Sequence, residues 1–168
     1  MAKITFKGQE IQTNGNLPNS GEKAKDFTLV NQNLEDMHLK NFAGKKKILI
    51  TVPSLDTSVC LQETKHLNDL AKKYPQITFI VVSADLPFAQ KRICKGEDLN
   101  NVQTLSMMRS KDFAKDYGIL MTSGSLAGLA ARSITLLDED DTVVYTQLVP
   151  EIAEEPNYQA LEDALKKM

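Results

Sequence analysis

The chain has 168 residues, 42% of them hydrophobic and 25% charged, with a formal net charge of −2. This is ordinary globular usage, and it predicts a single domain over residues 1–168 with a core of its own. The near-neutral charge argues against a nucleic-acid partner or an anionic membrane surface. With no apolar run long enough for a signal peptide or a membrane span, the expected location is cytoplasmic.

The first segment, "KITFKGQEIQT", alternates apolar and polar residues about Lys7-Gly8 and predicts a hairpin. "GNLPNSGEKA" is loop, "DFTLV" a strand and "KILITV" a buried strand. The run Lys45-Lys46-Lys47 reads as a solvated turn before that strand. From Ser58 to Tyr74 the pattern is helical, with Cys60, Leu67, Leu70, Ala71 and Tyr74 on one face and Pro75 as the stop. "ITFIVVSA" (77–84) has the β-branched composition of a central strand, and "LPFAQKRICK" (86–95) is a short helix with Pro87 near its start. "VQTLS" (102–106) is a weak strand, and "KDFAKDYG" a short helix closed by Gly118. "SGSLAGLAA" is a small-residue loop. "RSITLLD" and "TVVYTQLV" flank Asp138-Glu139-Asp140-Asp141 as an antiparallel pair, and "EPNYQALEDALKKM" ends the chain as an amphipathic helix. Alternating strands and helices followed by a hairpin imply an α/β protein with a mixed sheet flanked by helices on both faces. The order suits a thioredoxin-like fold with an N-terminal β-hairpin extension.

The segment "TVPSLDTSVCLQE" (51–63) carries the chemistry. A buried strand breaks at Pro53, four capping-type residues follow, and Cys60 falls in the first turn of the next helix. Unpaired N–H groups and about half a positive charge at a helix start favour the thiolate, which is the reactive form of cysteine. Thr57, three residues earlier, is placed to hydrogen-bond the sulfur or an incoming oxygen, although N-cap duty alone would explain it. Free cysteines are also among the most buried residues, so a spectator thiol and a reactive one stand level on local grounds. In a reducing compartment neither Cys60 nor Cys94 is expected in a permanent bridge. Both line helices that follow neighbouring strands, which allows them to share one end of the sheet. Arg92 and Lys95 flank Cys94 and would lower its pKa if they face it, whereas Lys91 reads as solvated surface.

On these residues the chain resembles the peroxiredoxins. Pro53, Thr57 and Cys60 fit their P-x-x-x-T-x-x-C pattern. "SADLPFAQKRICKGEDLNNVQTLS" is similar to the resolving-cysteine segment of the bacterial thiol peroxidase branch, and "GLAARSITLLDEDDTVVYTQLVPEI" to the strands carrying its active-site arginine, here Arg132. The likeness runs over nearly the whole chain. It implies reduction of hydrogen peroxide and alkyl hydroperoxides through a Cys60 sulfenic acid, which Cys94 of the same subunit resolves to a Cys60–Cys94 disulfide. Arg132 would stabilise the Cys60 thiolate and the peroxide oxygens, Thr57 would orient the peroxide, and Pro53 would shield the sulfur. Thioredoxin would be the electron donor, the assembly a homodimer, and no cofactor or metal is implied. Without the resemblance, Arg132 reads as a surface residue opening a strand.

Other chemistries fit the residues less well. A thioredoxin-type reductase needs C-x-x-C, but Cys60 is followed by Leu61, Gln62 and Glu63. A Cys–His hydrolase needs a base beside the thiol. His66 lies nearly opposite Cys60 around the helix, and His38 is distant in sequence. A zinc site would have to recruit both cysteines and both histidines without paired spacing. A redox sensor using the same sulfenate-to-disulfide switch remains the alternative of another class. Leu120, Met121, Leu126 and Leu129 serve a dimer interface, a substrate collar or the core.

Overall fold

The computed structural model describes residues 1–168. Strands β1 (Lys3–Phe6) and β2 (Gln9–Gln12) pair antiparallel, with Ile4 opposite Ile11. Their turn is Lys7-Gly8 at φ 51° and 81°, the left-handed pair that suits a two-residue hairpin. Next come β3 (Thr28–Val30), β4 (Asp36–His38), a 3-10 turn at Leu39–Phe42 and β5 (Lys46–Thr51). Helix α1 (Ser58–Lys73) leads to β6 (Ile77–Ser83), α2 (Pro87–Gly96) to β7 (Gln103–Ser106), and α3 (Asp112–Asp116) to β8 (Ser133–Leu137). Strand β9 (Val143–Leu148) and α4 (Tyr158–Lys166) complete the chain.

The seven-stranded sheet has the order β4-β3-β7-β6-β5-β8-β9. Strand β5 runs parallel to β6 and antiparallel to β8, so the sheet is mixed as its sequence pattern implies. Side chains alternate across a strand. Ile48 and Ile50 of β5 and Phe79 and Val81 of β6 therefore face one way, into a layer shared with Leu67 and Leu70 of α1, Leu161 and Leu165 of α4, and both cysteines. Leu49, Ile80 and Val82 face the other way, toward α3, Phe27, Phe42 and the hairpin residues Ile4 and Ile11.

Two elements are absent from the sequence reading. Strand β4 has three residues, none fully buried, and is fixed by a turn in which the Asn31 side chain accepts from the N–H groups of Asn33 and Glu35. Its 3-10 successor buries Leu39 and Phe42. Three- and four-residue pieces are too short for periodicity to register. Gly118 does close α3: at φ +71° it lies so near the Asn16 backbone that a Cβ there would meet its oxygen at 2.0 Å. Of the four apolar loop residues, Met121 is buried in the core, and Leu120, Leu126 and Leu129 pack half-buried against it.

Candidate active site

Strand β5 ends at Thr51, and the buried Val52-Pro53 pair carries the chain to α1. Thr57 is the N-cap of that helix: its backbone is extended, and its Oγ1 accepts from the Cys60 N–H at 3.3 Å. That bond satisfies one of the helix's free donors and fixes Cys60 in the first turn. Cys60 is 1% exposed and its thiol is free.

Arg132 is also 1% exposed, so it is not a surface residue at the head of β8. Its backbone carbonyl accepts from the Val149 N–H at 3.0 Å. The Thr51 hydroxyl, at the end of β5, hydrogen-bonds to the Ala131 carbonyl at 2.7 Å and to the Ser133 hydroxyl at 2.6 Å, fixing the backbone on either side of Arg132. The guanidinium then makes four directed contacts. Nη2 reaches the Cys60 sulfur at 3.3 Å, Nη1 donates to Glu63 Oε2 at 2.5 Å, and Nε and Nη2 donate to the Ile152 carbonyl at 3.1 and 2.8 Å. Burial works against the charge, but Glu63 and Cys60 outweigh it and hold the Arg132 pKa above its ordinary value.

Glu63 is the site residue that sequence reasoning passed over. It is 0% exposed, and its other oxygen, Oε1, has no hydrogen-bond partner. Burial pushes its carboxyl up to about 7, against the opposing pull of Arg132. The signal was present: Glu63 lies three residues after Cys60, so it shares the buried face of α1. A carboxylate on an apolar stripe calls for a buried cation.

Cys94 departs from expectation in its pKa. It sits in the last turn of α2, about 10 Å along the helix from its start at 1.5 Å per residue. It is buried at 6% exposure, and burial raises its pKa, with the Gln32 and Thr104 side chains pulling weakly the other way. Arg92 and Lys95 are exposed and do not lower it. A groove lined by Asp56, Thr57, Ser58, Arg92 and Gly96 separates the start of α1 from the last turn of α2. The Lys65–Glu97 ion pair, at 2.7 Å, bridges the same two helices.

The histidines are engaged elsewhere. His66 stacks on Tyr158 with ring centroids 3.7 Å apart, and His38 Nδ1 lies 3.1 Å from the Phe27 carbonyl. The arrangement as a whole is a thiol at a helix start, held by a hydroxyl cap and faced by a buried, charged guanidinium. Such a site can stabilise a thiolate and bind electronegative atoms beside it.

The redoxin family model matches residues 19–161. The chain belongs to the redoxin family, in its thiol peroxidase branch. It is 48% identical to a thiol peroxidase of Leptospira interrogans over 162 residues, covering 95% of both chains. It is 43% identical to a thiol peroxidase of Helicobacter pylori, covering 99% of this chain and 100% of that one. Among solved structures, a peroxiredoxin-like protein from Aquifex aeolicus superposes with a TM-score of 0.93 at 36% identity, covering 99% of this chain and 97% of that one. A thiol peroxidase from Chromobacterium violaceum gives 0.92 at 25% identity, covering 98% and 95%. The fold is the thioredoxin-like fold of that family, and thiol-dependent peroxidase activity goes with the membership. No helix is long and apolar enough to cross a membrane.

Proposed function

We propose that Cys60 is the peroxidatic cysteine and that Cys94 resolves it within the same subunit. The observation that carries this reading is the 3.3 Å contact between Arg132 Nη2 and the Cys60 sulfur in a fully buried setting. The Cys60 thiolate attacks the distal oxygen of a hydroperoxide, hydrogen peroxide or an alkyl hydroperoxide. The O–O bond breaks, the sulfur becomes sulfenic acid, and the departing alkoxide takes a proton and leaves as alcohol, or as water from hydrogen peroxide. Negative charge grows on that oxygen in the transition state, where the Arg132 guanidinium is placed to receive it. The Thr57 hydroxyl and the Cys60 N–H orient the peroxide, and Pro53, which has no N–H, walls the sulfur from water.

The Cys94 thiolate then attacks the sulfenic sulfur. A disulfide forms, and hydroxide leaves as water with the proton Cys94 has shed. The two thiols supply both electrons, so the chemistry closes without a metal or organic cofactor. The burial of both cysteines supports a step in which helix ends open before the sulfurs meet, since a disulfide needs Cα atoms within about 7 Å. Resemblance to the thiol peroxidases supports a dithiol protein of the thioredoxin class as reductant, a homodimer as the working unit and a cytoplasmic setting.

The test is peroxide consumption by purified protein supplied with thioredoxin, its reductase and NADPH. Many turnovers are expected, and none with Cys60→Ser. Turnover retained in Cys60→Ser would overturn the assignment of Cys60, and a single stoichiometric oxidation of the native protein would overturn recycling by that donor.

A further inference from the structure

Asp85 lies between β6 and α2, and its carboxylate gathers donors from both sides. The Ser54 hydroxyl donates to Oδ1 at 2.7 Å, and the Leu55 N–H and Ser83 hydroxyl donate to Oδ2 at 2.7 and 2.6 Å. The Ser106 hydroxyl holds the Asp85 backbone carbonyl at 2.5 Å. An ionised carboxylate only accepts, so one group can take all three donors at once.

From Ser54 the hydrogen bonds continue to Cys60. The Asp56 N–H donates to Ser54 Oγ at 3.1 Å, the Thr57 hydroxyl to the Ser54 carbonyl at 3.3 Å, and the Cys60 N–H to Thr57 Oγ1 at 3.3 Å. From Ser83 they continue into α2. Buried Gln90 donates through Nε2 to Ser83 Oγ and to the Leu105 carbonyl, each at 3.0 Å, while its Oε1 has no partner. Gln90 sits four residues before Cys94, one helical turn. A continuous chain of hydrogen bonds thus joins the N-cap of the Cys60 helix to the helix carrying Cys94, with a charged residue at its centre.

We propose that Asp85 is a positioning residue that couples the two helices, holding the start of α1 and the body of α2 closed together in the peroxide-reactive form and letting both loosen together when the Cys60–Cys94 bond is to be made. The proposal rests on the assignment of Cys60 and Cys94 given above. Cys60 is in a first turn and Cys94 in a last turn, both buried, so opening either helix alone leaves the other sulfur enclosed. A shared acceptor at the root of both segments makes the two openings one event. Asp85→Asn removes the charge and turns one acceptor oxygen into an amide donor, which makes the Ser54 hydroxyl reverse at Oδ1 or sets a donor against the Leu55 N–H at Oδ2, and so weakens the chain without changing shape.

The test is amide hydrogen exchange on the reduced native chain and on Asp85→Asn, followed by titration of each with peroxide. Peptides covering 54–61 and 87–96 are expected to exchange at least about tenfold faster together in the variant, with β5 and β6 unchanged. The ratio of Cys60–Cys94 disulfide to Cys60 sulfinic acid is expected to rise at least about threefold, because resolution then outruns over-oxidation. Ser54→Ala, which cuts the next link, is expected to move both readouts the same way by less, and it carries the test if the Asp85 variant does not fold. Faster exchange in one helix alone, a uniform rise across the sheet, or no change in either helix would overturn the coupling. A native chain that forms no Cys60–Cys94 bond would instead refute the cysteine assignment, and the exchange result on the reduced protein would still decide the coupling.

Discussion

Arg132 holds Glu63 in a fully buried ion pair, Nη1 to Oε2 at 2.5 Å, while its other terminal nitrogen reaches the Cys60 sulfur at 3.3 Å. One cation thus serves two acidic groups three residues apart on α1. A buried guanidinium needs a partner, because desolvation of an unpaired charge costs several kcal/mol. Glu63 supplies that partner through Oε2 and fixes the plane of the fork. The guanidinium is thereby held beside the Cys60 sulfur.

Replacing Arg132 by Met is expected to slow the first reaction with peroxide by about 10²–10³-fold, the usual loss on removing one transition-state donor. It also takes from Glu63 the cation that favours its charge, so the buried carboxyl stays protonated and short of one donor, a cost of about 1–3 kcal/mol in urea unfolding. The double variant Arg132→Met, Glu63→Gln should recover most of the stability and none of the rate. Recovery of the rate would remove Arg132 from the chemistry.

Glu63 gives stability a defined pH dependence. Burial raises its carboxyl from the ordinary 4.5 to about 7, so between those values the folded chain binds more protons at this position than the unfolded chain. Its contribution is therefore fully present below pH 4.5 and is lost as pH rises through 7. The difference in unfolding free energy between the native chain and Glu63→Gln, measured from pH 4.5 to 7.5, should show this downward slope. A flat difference would mean that the carboxyl is ionised throughout.

Most of the architecture was legible because its signals are long. The β-branched run 77–84 and the sixteen-residue helix Ser58–Lys73 repeat their pattern often enough to be read. Strand β4 and the following 3-10 turn were not, since three or four residues carry no period. Cys60, Thr57 and Pro53 stood out through their local company, whereas Arg132 needed a likeness spanning the chain, because tertiary packing alone buries it. Glu63 and Asp85 were missed because each earns its place through partners distant in sequence: Arg132 for one, Ser54 and Leu55 for the other. The pKa of Cys94 went the other way because flanking cations in a helix point to solvent when the cysteine itself faces the core.

Thr57→Val removes the N-cap acceptor of α1 and should destabilise the chain by about 1 kcal/mol. Thr57→Ser keeps the oxygen and should stay near the native value. Peroxide reaction should follow the same order, with the valine variant slowed and the serine variant close to native. Equal rates in both variants would confine Thr57 to capping.

Cys94→Ser should react once with peroxide and then stall with thioredoxin as donor. Its Cys60 sulfenic acid should be trapped by dimedone and should pass to sulfinic acid under excess peroxide. Multiple turnover in this variant would show that another group resolves Cys60.

The central claim is that Cys60 and Cys94, two buried free thiols in the reduced chain, are the two ends of one intrachain redox pair. Non-reducing peptide mapping after one equivalent of hydrogen peroxide tests it most directly. The expected product is a single disulfide joining the peptides of Cys60 and Cys94 within one chain, returned to two thiols by thioredoxin. A bridge between two chains, or Cys60 oxidised with Cys94 still free, would contradict it.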